Sequence, residues 1–155
     1  MLGRYMFVCL STVWVLTACD TGTNIINTIP VDTICAKAVD PYFYCQVGDR
    51  EFYLCQANVN RLEFQVIQNK KIQQSYRGEL AKDFHYENYH RFKVTENSVS
   101  FQGTAASYEI YDYYDEESKP AIYQNGVVIT QDNAIENIVC NKSKSRLAAI
   151  KSVSL

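Results

Sequence analysis

The chain has 155 residues, 15 basic against 17 acidic side chains and a formal net charge of −2. That length suits one domain, and the charge balance lacks the basic face that nucleic acid requires. Twelve tyrosines outnumber seven phenylalanines and a single tryptophan, a bias that fits half-buried strands and wet contact surfaces.

Residues 1–18 read MLGRYMFVCLSTVWVLTA. One positive charge, Arg4, precedes an apolar run from Tyr5 to Leu16. The run is about 12 residues long, within the range of a signal-peptide core and short of the ~20 that a membrane-spanning helix needs. Leu16-Thr17-Ala18-Cys19 follows: a branched apolar residue, two small residues, then a cysteine. This resembles the lipobox of bacterial lipoproteins. The resemblance implies cleavage before Cys19, a diacylglycerol on its thiol, and acylation (palmitate, for example) of the new amino group. One acyl chain binds a membrane marginally and two or three hold it stably. The apolar run is not repeated, so the expected mature protein is anchored rather than spanning. In enteric bacteria an aspartate just after the lipidated cysteine tends to keep a lipoprotein in the inner membrane, and Asp20 matches that pattern. The expected location is the periplasm-facing cell envelope, with inner or outer membrane left open.

Once Arg4 has left with the leader, 14 basic residues face 17 acidic ones. Residues 19–33 are a lipidated N-terminus and polar tether that includes Pro30. Residues 34–141 are the expected domain, and residues 142–155 a basic tail expected to fray.

Export places the chain in an oxidising compartment. Cys9 leaves with the leader and Cys19 carries lipid, so Cys35, Cys45, Cys55 and Cys140 remain. Steps of ten residues or more lack the short C-x₂₋₄-C spacing of a zinc site, so disulfides are expected. Four cysteines allow three pairings. The preferred one is Cys35–Cys140 with Cys45–Cys55, the first tying the domain's start to its end and the second cross-linking the first hairpin. It has a difficulty. A two-residue loop at Gly48-Asp49 points residues 45 and 55 to opposite faces, so the hairpin would have to be irregular.

The domain is predicted to be all-β: mainly antiparallel sheet, a small sandwich or barrel-like fold stapled by disulfides, with little or no helix outside the leader. Residues 41–56 are two strands around Gly48-Asp49. Leu62, Phe64 and Val66 alternate with Glu63 and Gln65, the pattern of a half-buried strand. Lys71 to Tyr76 returns after Asn69-Lys70. Residues 91–102 predict a hairpin turning at Glu96-Asn97, with Val94 opposite Val99 and Phe92 opposite Phe101. Residues 107–114, SYEIYDYY, form a further strand. Residues 121–130, AIYQNGVVIT, predict a hairpin turning at Asn125-Gly126. Asn137 to Cys140 closes the set. Only Arg146 to Val153 hints at helical spacing.

Cys35, Phe43-Tyr44-Cys45, Phe52-Tyr53-Leu54-Cys55, Tyr76-Arg77-Gly78-Glu79-Leu80, Gly126-Val127-Val128 and Cys140 are laid out in that order. The layout resembles a group of small exported cysteine-containing bacterial proteins of mostly unassigned function. The resemblance spans roughly residues 35–140 and implies architecture rather than activity.

No catalytic constellation emerges: there is no G-x-S-x-G elbow, P-loop, H-E-x-x-H or glycine-rich phosphate loop. His85, Glu87 and His90 are a poor metal set. A strand turns His90 away from the other two, and a helix puts the histidines about 140° apart. No cofactor, metal or catalytic residue is therefore expected, and the chain is read as a binder rather than an enzyme. Asp112, Asp115, Glu116 and Glu117 form an acidic cluster without the spacing of a calcium loop. Tyr108, Tyr111, Tyr113 and Tyr114 lie beside it, and amphipathic rings next to charges are common at binding surfaces. Tyr108, Tyr111, Tyr113, Tyr114, Asp115, Glu116 and Glu117 are the predicted partner-binding residues, while parity leaves open which of Tyr113 and Tyr114 faces outward. The expected role is an immunity protein or inhibitor that neutralises a basic toxin or cell-wall hydrolase acting in the periplasm. The alternatives are a surface-exclusion (including phage-exclusion) or envelope-assembly lipoprotein and, further off, a small envelope enzyme.

Overall fold

The structure is a computed structural model that describes Cys35, Ala38 and residues 40–152. The leader, Cys19, Asp20 and the tether lie outside the described residues.

Among the described residues, ten strands run in chain order: β1 (Phe43–Val47), β2 (Arg50–Asn58), β3 (Arg61–Gln68), β4 (Lys71–Glu79), β5 (Phe84–Arg91), β6 (Val94–Gln102), β7 (Ser107–Asp115), β8 (Ile122–Gln131), β9 (Ala134–Val139) and β10 (Lys142–Ser145). A short 3₁₀ helix, Leu147–Ser152, follows. The strands form two five-stranded sheets, β10-β1-β2-β3-β4 (sheet A) and β5-β6-β7-β8-β9 (sheet B), and every pairing is antiparallel. The all-β, disulfide-stapled expectation holds. From β1 to β4 and from β5 to β9 each strand neighbours the next in sequence, and β10 returns to pair with β1. The ladder opens only at β4/β5 and β9/β10, where the chain passes from one sheet to the other. At the second seam consecutive amides bond to opposite sheets: Cys140 N–H donates to the Asn125 carbonyl and Asn141 N–H to the Gln46 carbonyl.

The sheets face each other through aromatic rings. Phe52, Phe64, Phe84 and Phe101 are buried, each contributing about 1.5–3 kcal/mol relative to exposure. The Phe64 ring lies 4.9 Å from Phe101 and 5.0 Å from Tyr108 across the interface. Val99, Ile110, Val127 and Ile138 fill the sheet B side, and Leu147 and Ile150 of the 3₁₀ helix are fully buried. The segment expected to fray thus supplies an edge strand and two core side chains, and the ordered fold runs through residue 152. The basic residues among its side chains had masked the Leu147/Ile150 pair.

Part of the interior is polar. Asn97 donates to Asp112 at 2.7 Å, and its carbonyl oxygen accepts from Tyr86 at 2.8 Å and Asn88 at 2.9 Å. The Ser145 hydroxyl of β10 bonds to the other Asp112 oxygen, and Asn125 donates to Ser143 at 2.8 Å. The chain of bonds crosses from the edge of sheet B to the edge of sheet A. Burial, and then the Asp112 charge, hold the Tyr86 hydroxyl above its ordinary pKa.

Two predicted turns hold. Val47 pairs with Arg50 across Gly48-Asp49, and Gln68 pairs with Lys71 across Asn69-Lys70. Two others do not. Glu96-Asn97 is not a turn: β6 runs straight through it, paired to β5 on one side and β7 on the other. The turn is Phe92-Lys93, with Arg91 opposite Val94 and Lys93 at φ 61°. Phe92 is 77% exposed there rather than opposite Phe101. Nor does Asn125-Gly126 turn: β8 continues through it to Gln131, and Asp132-Asn133 makes the turn with φ of 49° and 66°. The alternation in β3 also fails, because Glu63 and Gln65 are as buried as Leu62 and Phe64. Glu63 is satisfied there by Arg77 at 2.6 Å, Ser75 at 2.9 Å and Gln65 at 2.7 Å.

The disulfides are Cys35–Cys55 and Cys45–Cys140, which overturns the preferred pairing. Cys45 lies opposite Phe52, three residues from Cys55. An odd offset sends the two thiols to opposite faces of the hairpin, so the irregularity that Cys45–Cys55 needed is not there. Cys45 points into the core and joins the end of β9, stapling the β9/β10 seam. Cys55 points to the outer face of sheet A and takes Cys35.

Candidate functional site

Strand alternation divides β7 into two faces. Tyr108, Ile110, Asp112 and Tyr114 point between the sheets, while Glu109, Tyr111, Tyr113 and Asp115 point outward. This sorts the predicted partner-binding residues. Tyr108 leaves the set: it is 6% exposed, stacks on Phe101 at 5.2 Å and bonds through its hydroxyl to Gln74. Tyr113 is the outward member of its pair. Tyr114 takes the inward parity but sits at the strand end opposite Thr95 and Tyr123, where it is 40% exposed.

Register places neighbours beside the outward residues. One row across sheet B reads Tyr89, Glu96, Tyr113, Gln124; the next reads Glu87, Ser98, Tyr111, Gly126, Val139; the third reads His85, Ser100, Glu109, Val128, Asn137. Tyr111, Tyr113, Glu96, Glu109, Gln124 and Val128 line an open groove of about 250 Å³. Tyr111 is fixed in it. Its hydroxyl accepts from Gln124 Nε2 at 3.0 Å and donates to Asn137 at 3.2 Å. Its ring lies over Gly126, where a Cβ would come within 2.4 Å of the ring.

The acidic loop after β7 has internal order. Asp115 is a structural residue: its carboxylate accepts from the amides of Glu117 at 2.7 Å and Ser118 at 3.2 Å, and from the hydroxyls of Ser118 at 2.8 Å and Tyr113 at 3.4 Å. The Ser118 hydroxyl, then the two amides and Tyr113, hold its carboxyl below the usual range against the opposing effect of burial. Burial and the neighbouring Asp115 charge in turn raise Tyr113. Glu116 N–H donates to the Lys93 carbonyl, and Glu117 pairs with Arg91 at 3.0 Å. The loop is therefore bound to the β5–β6 turn. Phe92, Ile122 and Tyr123 stand exposed at this end of the sheet.

Charge is divided between the sheets. The strands of sheet B carry Glu87, Glu96, Glu109, Asp112, Asp115 and Glu136 but only one arginine, Arg91, and no lysine. Those of sheet A carry Arg50, Arg61, Lys71, Arg77, Lys142 and Lys144 against Glu51, Glu63 and Glu79. Among the described residues, Glu87, Glu96 and Glu109 have no ion-pair partner. The histidine stretch is edge strand β5, with His85 and Glu87 outward and the His90 ring 2.9 Å from the Thr95 hydroxyl.

Glu96, Glu109 and Gln124 were not singled out from the sequence. Glu109 shares parity with Tyr111 and Tyr113, so alternation alone could have added it. Glu96 and Gln124 were hidden by the two misplaced turns.

No family model matches the chain, and neither a curated protein nor a solved structure shows significant similarity to it.

Proposed function

We propose that this chain is a lipid-anchored, periplasm-facing binding protein whose sheet B outer face engages and neutralises a basic protein, such as a toxin or a cell-wall hydrolase. The observation that carries this reading is the charge division. Carboxylates without ion-pair partners among the described residues and outward tyrosines share one face, while six of the seven basic residues in the strands belong to the other sheet. Such a face steers a basic partner and raises its association rate, and rigid aromatic rings supply contact area at low entropic cost. The lipobox-like Leu16-Thr17-Ala18-Cys19 supports the anchor, and two disulfides agree with an oxidising compartment.

Two experiments test it. Metabolic labelling with a fatty-acid analogue is expected to mark the parent and not Cys19→Ala; equal labelling of both removes the anchor. Capture from cell envelopes should compare the parent with Glu87→Lys/Glu109→Lys, which reverses charge on the outer face. A basic protein held by the parent, inhibited at equal stoichiometry and released by the reversal, supports the reading. A partner that the reversed variant holds equally well places the interface elsewhere.

A further inference from the structure

The groove on sheet B has a shape and chemistry narrower than a general acidic face. At about 250 Å³ it lies at the small end of ligand-binding clefts and has room for one side chain. Its walls alternate in kind. Two aromatic residues, Tyr111 and Tyr113, line it together with two acidic ones, Glu96 and Glu109, and with Gln124 and Val128. The residues alternate along β7 and meet Glu96 of β6 and Gln124 of β8 in register.

The groove is built before anything enters it. Gly126 leaves the space that the Tyr111 ring occupies, and Gln124 and Asn137 hold the Tyr111 hydroxyl. Tyr113 is restrained by its bond to Asp115. Neither Glu96 nor Glu109 has an ion-pair partner among the described residues, so an entering cation displaces no existing bridge. A flat, delocalised cation lies against an aromatic face and meets carboxylates in its own plane, whereas an ammonium is a compact and more strongly hydrated charge.

We infer that this groove receives a single arginine side chain of the partner, its guanidinium lying against the Tyr111 and Tyr113 rings between the Glu96 and Glu109 carboxylates. The inference rests on the outer face of sheet B being the binding face, and names what that face recognises.

The test is a ¹H–¹⁵N NMR titration of the full chain in detergent micelles. The probes are N-acetyl-arginine methylamide, its lysine counterpart, and the citrulline analogue, which keeps the shape and loses the charge. The arginine probe is expected to shift the amides of Glu96, Glu109, Tyr111, Tyr113 and Gln124 in a saturable manner. Lysine should bind at least about threefold more weakly, and citrulline should leave the spectrum unchanged. Glu96→Gln/Glu109→Gln removes both charges at side chains with no hydrogen bond or ion pair among the described residues, and should weaken arginine binding by about tenfold or more. Citrulline or lysine binding as well as arginine, or undiminished binding to the double variant, overturns the inference. If the titration fails while charge reversal still releases a captured partner, only the arginine groove is lost. If the titration succeeds and reversal has no effect on capture, the groove binds free arginine but receives no side chain of the partner, and the inference is overturned together with the wider face.

Discussion

The ring of Tyr111 lies across the backbone of Gly126, its strand neighbour on β8, so closely that a methyl group there would come within 2.4 Å of the ring. Gly126 does not have a positive φ, so the glycine serves clearance and not backbone conformation. Alanine at this site must push the ring off its two hydrogen bonds. Gly126→Ala is expected to destabilise the fold by about 1–3 kcal/mol, the usual cost of overpacking. Gly126→Ala/Tyr111→Ala should lose less than the sum of the two single changes, because the clash disappears with the ring. Denaturant unfolding of all four proteins measures the coupling, and simple additivity would show that the contact is unimportant.

The disulfides give a second prediction. Cys45–Cys140 closes 95 residues and spans the seam between the sheets, whereas Cys35–Cys55 closes 20. Loop entropy assigns about 4–5 kcal/mol to the first and about 3 to the second. Cys45→Ala/Cys140→Ala should therefore lower the melting temperature more than Cys35→Ala/Cys55→Ala. Non-reducing peptide mapping should recover Cys45 linked to Cys140, and a Cys45–Cys55 peptide would contradict the fold described above.

These two cases also show what the sequence made legible. Hairpins whose turn residues carry no requirement from the opposite sheet were readable: Gly48-Asp49 and Asn69-Lys70 fall where local chemistry puts them, and the longer contact, Gln68 donating to Asp49 at 3.0 Å, stays within sheet A. Asn125-Gly126 misled because both residues serve tertiary needs. Gly126 gives way to the Tyr111 ring and Asn125 reaches Ser143 across the sandwich, and neither requirement is visible locally. The true turn at Phe92-Lys93 carries a positive φ on a lysine, for which no propensity argues. Glu63 and Gln65 looked solvent-facing because alternation assumes one wet face, and the Arg77 partner that satisfies Glu63 comes from the next strand. The cysteine pairing was within reach: the hairpin's parity already opposed Cys45–Cys55.

The outer face of sheet A supplies a pH prediction. Tyr53 packs against Tyr44 with the rings tilted and their centroids 5.0 Å apart, and donates to Glu51 at 3.2 Å. Burial first, and then the Glu51 charge, push its pKa well above the ordinary value of 10.0. A folded-state pKa raised in this way contributes stability that is complete below the unfolded value. It is lost as pH rises from about 10 through the folded value. Alkaline destabilisation should thus be shallower in Tyr53→Phe than in the parent, although the variant starts about 0.5–1.5 kcal/mol lower at neutral pH for want of the hydrogen bond. Chemical unfolding between neutral and strongly alkaline pH checks this. Parallel curves for the two proteins would mean that Tyr53 ionises as it does in the unfolded chain.

The acidic loop yields the last prediction, because its three acids divide into different duties. Asp115 organises the loop through bonds to the Glu117 and Ser118 amides, while Glu116 and Glu117 are exposed. Its carboxyl titrates below the ordinary range. For a depressed pKa, the contribution to order is present above the unfolded value and is lost as pH falls through the folded one. Hydrogen exchange at the Glu117 and Ser118 amides should therefore be slow at neutral pH and accelerate only in acid below the usual carboxylate titration. Asp115→Asn should remove that acid transition and speed exchange already at neutral pH, since a neutral amide is a weaker acceptor for two N–H groups. Glu116→Ser/Glu117→Ser should leave both amides protected, freeing only Arg91 from its ion pair with Glu117. The same double variant should slow association with a basic partner and flatten its salt dependence, with little change in dissociation, as exposed charges at a rim do. If Asp115→Asn retains slow exchange, the loop is held from the β5–β6 turn through the Glu116–Lys93 backbone bond instead, and Asp115 belongs with the steering charges.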